Sequence, residues 1–291
     1  MYSRILLTFL FKLFLILSLN YTMSALFRKI AASKLGVSEP NPSWFGNRPN
    51  ELNNPHWTNK NWLQSRFHFS FAEYNNPRNQ NFGVLRVMND DLVQPDRGFG
   101  EHPHRDAEIC TYVVNGKLTH KDSMGTQETL GRGSIQFMTA GTGVEHSEHN
   151  LDKKHSLRFI QMWITPRRRG LRPNYGSFSM QSLSAAVEDS SDSRQCTAKL
   201  NTWYSVQTPV KINQDANIHV TEVLPGTQAE FVLHDGRQAY VLCIEGSAIF
   251  TGTHGSEVLI QHEAAEVYGP NVLTVTTADT TESTHLLLVE M

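Results

Sequence analysis

The sequence predicts an all-β fold made of two barrels in tandem, and three observations predict it. From Trp62 to the end of the chain, short apolar or alternating runs recur between turn signals. No long segment keeps a helical period. The run AYVLCIEGSAIFTG echoes the earlier ICTYVVNGKLTH, with Gly246 falling where Gly116 falls, as expected if one barrel occurs twice.

The elements follow in order. Ile5 to Leu19 is apolar apart from Thr8, Lys12 and Ser18. Arg4 precedes it, and no acidic residue occurs before Glu39. The stretch is short for a membrane span and carries Lys12 in its middle, so no stable span is expected. It reads as a targeting leader with a weak cleavage signal near Ser24 and Ala25, which implies an organelle or secretory route. If translation instead starts at Met23, the protein is cytoplasmic. Residues 1–45 are therefore read as leader and irregular segment, outside the fold argument. NPSWFGNRPNELNNPHW follows and reads as irregular.

The first barrel is expected over residues 46–170, with strands in FHFSFAEY, FGVLRVMN, EICTYVVNG, GSIQFMTAG and LRFIQMWITP. PRRRGLRPNYGSF and SAAVEDSSDSRQ, rich in Pro, Arg and Ser, then break the pattern, and residues 171–199 are read as a linker. Arg167, Arg168 and Arg169 read as a solvated loop. A second barrel over residues 200–291 takes its strands from NIHVTEVLP, AEFVLHD, AYVLCIEGSAIFTG, VLTVTT and THLLLVEM.

Composition narrows the class. The chain has 291 residues, 39% apolar and 19% charged, which is ample for a buried core. A net charge of −2 gives no reason to expect nucleic acid as partner. Cys110, Cys196 and Cys243 lie far apart and are odd in number, so neither a thiolate zinc site nor a disulfide framework is implied. Cys110 and Cys243 sit in apolar runs and read as core.

The chemistry is carried by GFGEHPHRDAE and AGTGVEHSEHN. His102 and His104 are two residues apart, so an extended strand turns both imidazoles to one face. His146 and Glu148 have the same spacing. Three imidazoles and a carboxylate suit iron, manganese, copper, nickel or zinc, and an incomplete shell leaves room for a substrate and dioxygen. Glu108 competes with Glu148 as the carboxylate ligand, and strand alternation does not separate them. His68 reads as a core histidine, His120 as part of a turn, and His149 and His155 as exposed. Trp62, Phe67, Phe69, Phe71, Phe137, Met138 and Met162 read mainly as core, with some available to line a barrel mouth. The second barrel has Val232 and His234 where the first has its histidine pair, so no metal is expected there.

HPHRDAEICTYVVNG and GSIQFMTAGTGVEHSEHN resemble the two cupin motifs, although the second turn is two residues longer than usual and lacks its proline. HPHRDAEICTY, HKDSMG, FMTAGTGVEHSEHN and QMWITP, with WLQSRFHFSFAEY and LRVMNDD upstream, resemble the pirin family, closest to bacterial pirins with quercetin 2,3-dioxygenase activity. The resemblance is dense over residues 55–170 and looser beyond. It implies a bicupin of two double-stranded β-helix domains. It also implies one metal, commonly iron as Fe(II), held by His102, His104, His146 and Glu148, with Glu108 left to orient a ligand imidazole. The implied activity is a metal-dependent dioxygenase that opens flavonols such as quercetin, with Glu148 as both ligand and base. The alternative it implies is a metal-binding, redox-responsive regulatory protein of the transcription-cofactor type, with a protein partner.

Overall fold

The computed structural model describes residues 27–48, 62–179, 204–205, 212–252 and 255–291. The apolar stretch Ile5–Leu19, the leader with its cleavage signal, Met23 and Cys196 lie outside the described residues. In chain order the first strands are β1 (Phe27–Ile30), β2 (Gly36–Ser38), β3 (Leu63–Phe67), β4 (Leu85–Val93), β5 (Arg97–His104), β6 (Glu108–Asn115) and β7 (Leu118–Asp122). Next come β8 (Gln127–Leu130), β9 (Ser134–Thr139), β10 (Val144–Asn150), β11 (Leu157–Ile164), β12 (Asn174–Ser179), β13 (Tyr204–Ser205) and β14 (Asn217–Val223). The last are β15 (Gln228–Leu233), β16 (Gln238–Glu245), β17 (Ser247–Gly252), β18 (Gly255–Ile260), β19 (Ala264–Tyr268), β20 (Asn271–Thr277) and β21 (Thr284–Glu290). Among the described residues there is no α-helix, only two short 3-10 turns, at Ala32–Lys34 and Pro42–Phe45. No helix among them is long and apolar enough to cross a membrane.

The chain divides into two compact units. Of the described residues, one takes in 33–48, 62–179, 204–205, 212–219 and Met291, the other 27–32, 220–252 and 255–290. The first unit holds a seven-stranded sheet in the order β12-β9-β6-β11-β4-β3-β2 and a four-stranded sheet in the order β5-β10-β7-β8. Burial follows the side-chain alternation of extended chain. In β3, Leu63, Ser65 and Phe67 are buried while Gln64 and Arg66 between them are partly exposed. In β10, Val144, His146, Glu148 and Asn150 are buried while Glu145 is exposed. β6, near the middle of the large sheet, is buried along all but its last residue, which fits the near-continuous apolar run in its sequence. A core of Trp62, Leu63, Val93, Val113, Leu118, Leu130, Leu157 and Phe159 fills this unit. Each such fully buried aliphatic or Phe side chain stabilises the fold by about 1.5–3 kcal/mol. On the other side of β4, Arg158 grips Asp90 with two bonds, Nε at 2.8 Å and Nη2 at 2.7 Å. That fork is the geometry in which a buried carboxylate keeps its charge.

The second unit has its own pair of sheets. One contains β1-β19-β16-β21-β14 and the other is β15-β20-β17-β18. Its core centres on Val241, Cys243, Phe250, Leu273, Leu286 and Leu288. The internal echo seen in the sequence has a backbone counterpart. Gly116 and Gly246 both adopt positive φ, 81° and 75°. A Cβ at either would lie against a carbonyl oxygen, 2.6 Å from Ser156 O and 2.5 Å from Ser283 O. Only glycine fits both turns without strain. Cys110 and Cys243 are fully buried, as their apolar surroundings suggest.

Two stretches depart from the sequence reading. Residues 27–45, grouped with the leader, include β1, β2 and the Pro42–Phe45 turn. β1 pairs with β19 from Phe27↔Val267 to Ile30↔Ala264, and Arg28 Nε donates to Glu266 Oε2 at 2.7 Å. β12 lies in the range read as linker and pairs with β9 from Asn174↔Thr139 to Ser179↔Ser134. In each case the order comes from a partner strand distant in sequence, which local composition does not carry.

Candidate metal centre

The candidate centre is built on the four-stranded sheet. β5 and β10 run antiparallel with His146 opposite His102 and Val144 opposite His104. Alternation turns His102 and His104 to one face. The register shifts between His146 and Glu148, so Glu148 lies opposite Phe99 rather than Gly100. This is a β-bulge, with its usual effect of re-aiming side chains. The three imidazoles converge, with ring centroids 4.7 Å apart for His102 and His104, 4.6 Å for His102 and His146, and 4.8 Å for His104 and His146. Their ring nitrogens come within 4.8 Å of one another, a grouping that can hold a metal ion.

The protonation pattern suits ligation. His102 Nδ1–H donates to Gly100 O at 2.7 Å, which leaves Nε2 bare. Burial lowers the pKa of His102, lowers His104 to about 4 with help from His102, and lowers His146 to about 2 with help from His102, His104 and His120. All three are neutral imidazoles at physiological pH, the form that binds metal. His146 is the most telling of them. It is buried, and neither of its ring nitrogens has a hydrogen-bond partner. Polar atoms so placed are costly unless something binds them, and a cation at the convergence of the rings would do so.

Glu148 is fixed from the opposite sheet. Its Oε1 accepts from Gln136 Nε2 at 2.7 Å and Thr111 Oγ1 at 3.2 Å, and its Oε2 accepts from Gln161 Nε2 at 2.7 Å. The three donors form one row across the large sheet, since Gln161 pairs with Thr111 and Thr111 with Gln136. Burial raises the Glu148 carboxyl to about 7, and the three hydrogen bonds oppose that rise.

Glu108 stands elsewhere. Thr139 Oγ1 donates to its Oε2 at 2.8 Å and Asn213 Nδ2 to its Oε1 at 3.1 Å. It joins none of the clustered donors and bonds no imidazole, so the role of orienting a ligand histidine does not fit it. The two carboxylates are separated because β5 ends at His104 and Glu108 begins β6 in the other sheet, while Glu148 shares β10 with His146, which spacing alone does not reveal.

His120 was missed. It lies on β7, not in a turn, and is fully buried. Its Nε2–H donates to Asp122 Oδ2 at 3.0 Å, its Nδ1 has no partner, and it groups with His146 and Glu148 within 4.8 Å. Its ring stacks on Tyr175, centroids 4.5 Å apart and planes at 20°. The available signal was His-Lys-Asp, which puts His120 and Asp122 on one face of a strand. Of the other histidines, His68 is buried in the core as expected and His155 is exposed, while His149 is half-buried rather than exposed.

A cavity of about 270 Å³ reaches the site. His102, His104 and Glu148 line it, with Phe45, Phe71 and Trp163 among its aromatic walls. Of the aromatic and methionine residues read mainly as core, Phe67 and Phe71 line this cavity, and Trp62, Phe67, Phe69, Phe137, Met138 and Met162 are buried. Asp91 also lines it. Burial raises its carboxyl to about 8, against a hydrogen bond from Ser65 and with help from Asp90 and Glu148.

In the second unit, Val232 is exposed on β15. A His285, Glu222 and Glu245 group does occur there, away from the positions equivalent to the histidine pair. His285 Nδ1 lies 3.0 Å from Glu245 Oε2, within hydrogen-bond distance.

Comparison with known proteins agrees with this architecture. The sequence model of the pirin family matches residues 51–164, and that of the quercetinase C-terminal cupin domain matches residues 205–291. Quercetin 2,3-dioxygenase of Escherichia coli K12 is 34% identical over 199 residues, 68% of this chain and 81% of that protein. The pirin-like protein of Caulobacter vibrioides is 47% identical over 116 residues, 40% of this chain and 50% of that protein. Among solved structures, YhhW from Escherichia coli covers 90% of this chain and 96% of its own, with 26% identity and a TM-score of 0.68. A second structure is of bacterial pirin YhhW in complex with nickel(II), at 26% identity and a TM-score of 0.67, covering 90% of this chain and 97% of its own. With an all-β architecture of two cupin domains, this chain belongs to the pirin family.

Proposed function

We propose that the chain is a metal-dependent dioxygenase that opens flavonols such as quercetin, with His102, His104, His146 and Glu148 as the ligands of one divalent transition metal. One observation carries the reading. His146, buried with both ring nitrogens unpartnered, lies against two further neutral imidazoles and Glu148, and His102, His104 and Glu148 line an aromatic cavity. Fe(II) is the leading candidate, and the same donor set accepts manganese, nickel, copper or zinc. Relatives named quercetin 2,3-dioxygenase support the substrate class.

When bound, the metal supplies Lewis acidity and a redox relay to dioxygen. The chain's own residues do the rest. Phe45, Phe71 and Trp163 give the cavity flat apolar walls that receive an aromatic ring system and exclude water. Glu148 takes the proton of the flavonol 3-hydroxyl at Oε2, which accepts one internal hydrogen bond where Oε1 accepts two. Gln136, Thr111 and Gln161 hold that carboxylate in place through the transfer. Opening of the heterocycle then releases carbon monoxide.

The test is anaerobic loading with Fe(II), then quercetin, then air. The expected result is loss of quercetin absorbance with about one carbon monoxide released per quercetin consumed. Unchanged absorbance with metal bound would overturn the activity.

A further inference from the structure

The polar row that holds Glu148 has one more member. On β4, Asn89 pairs with Gln161 on one side and with Phe67 of β3 on the other. The row therefore runs Phe67, Asn89, Gln161, Thr111, Gln136 across five strands. Gln161, Thr111 and Gln136 all donate to Glu148. Asn89 does not. The residue is 3% exposed, and its Oδ1 is buried without a hydrogen-bond partner among the described residues. A sealed, unbonded amide oxygen is costly in a core, and an apolar residue would fill the place better.

Its neighbours do not relieve it. The Gln161 carboxamide is committed at both ends, its Nε2 to Glu148 and its Oε1 to Trp163 Nε1 at 3.2 Å. Phe67 offers no polar atom. Asp91, two residues along β4 and on the same face, accepts from Ser65 through Oδ1. What Asn89 does face is the cavity. Asn89, Asp91 and Ser65 line it together with His102, His104 and Glu148. A carboxamide presents both an acceptor and donors, so it can bond a hydroxyl in either sense.

We propose that Asn89 is a specificity residue. It receives a hydroxyl of the bound flavonol other than the 3-hydroxyl, and so selects hydroxylated over bare aromatic ligands, with Asp91 and Ser65 beside it. This rests on the flavonol reading above and adds a second recognition point to it. Such a contact changes affinity by about tenfold, since a ligand lacking the hydroxyl leaves the buried amide unpaired.

The probes are quercetin and 3-hydroxyflavone, which keeps the 3-hydroxyl and lacks every other. Anaerobic calorimetric titration of the metal-loaded protein gives a Kd for each, so the readout does not require turnover. Wild type is expected to bind quercetin about tenfold or more tightly over 3-hydroxyflavone. Asn89→Leu, matched in size, is expected to narrow that ratio about tenfold, with 3-hydroxyflavone bound as well as before or better. Removing an unbonded buried amide does not threaten the fold, and thermal unfolding of the variant checks this. The wild-type ratio is a test even without the variant. Equal binding of both probes by wild type, an equal loss of both in Asn89→Leu, or no binding of either would overturn the proposal. Selective binding without oxidation of quercetin would defeat the dioxygenase reading and leave this one standing.

Discussion

Gln136 and Glu148 are joined by a 2.7 Å hydrogen bond that links the seven-stranded sheet to the four-stranded one. A proposed ligand carboxylate is thereby held by a residue that lies outside the cavity wall. Gln136→Leu keeps the bulk and removes the donor. The expected result is a metal Kd raised about 10- to 100-fold, with loss of activity that added metal restores in part. Competition against a chelator of known affinity measures it. An unchanged Kd would show that the bond does not orient the ligand.

The two candidate carboxylates make opposite predictions. Glu148→Gln is expected to lose metal and activity together. Glu108→Gln is expected to keep both, because the partners of Glu108 are Thr139 and Asn213, and one of its two acceptors survives the change. Its cost is about 1 kcal/mol of stability at most. Elemental analysis of both variants reads the difference directly, and loss of metal from the Glu108 variant would reverse the assignment.

This pair also marks how far the sequence could be read. Alternation and the His-x-His spacing sufficed to pick out His102, His104 and His146, because period-2 geometry is local. Glu148 and Glu108 lie equally well placed by that rule. What parts them is the break after His104, which carries Glu108 onto β6 of the other sheet, together with the row of donors to Glu148 in strands far away in sequence. The run THKDSMG reads as a turn at His120, yet pairing of β7 with β8 and β10 carries the strand through it. The all-β class was legible from run length and turn spacing. β1, β2 and β12 were not, since each is short and ordered by a distant partner.

Asp91 gives a pH signature. Its folded-state pKa, about 8, lies above the ordinary aspartate value of 3.8. The unfolded chain therefore loses this proton first. The stability contributed by the protonated carboxyl is fully present below about pH 4 and is lost as pH rises toward 8. In metal-free protein, Asp91→Asn is expected to gain on wild type across that window, by at most about 1.4 kcal/mol per pH unit. Urea unfolding midpoints from pH 4 to 8 measure it. Parallel curves for the two proteins would contradict the burial argument.

Gly116 should tolerate no side chain. A Cβ there would meet Ser156 O at 2.6 Å with φ at 81°, so neither the turn nor its neighbour can absorb it easily. Gly116→Ala is expected to destabilise by at least about 2 kcal/mol. Gly125→Ala, at φ 95° with open space around its Cβ, isolates the backbone part and should cost less. Thermal unfolding of the pair separates strain from collision.

The central claim is that His102, His104, His146 and Glu148 hold one metal. The most direct measurement is the metal content of wild type and His146→Ala, purified alike and loaded alike with Fe(II). The account predicts about one metal per chain in wild type and almost none in the variant, with quercetin oxidation lost in step. Equal metal content in the two proteins would contradict it.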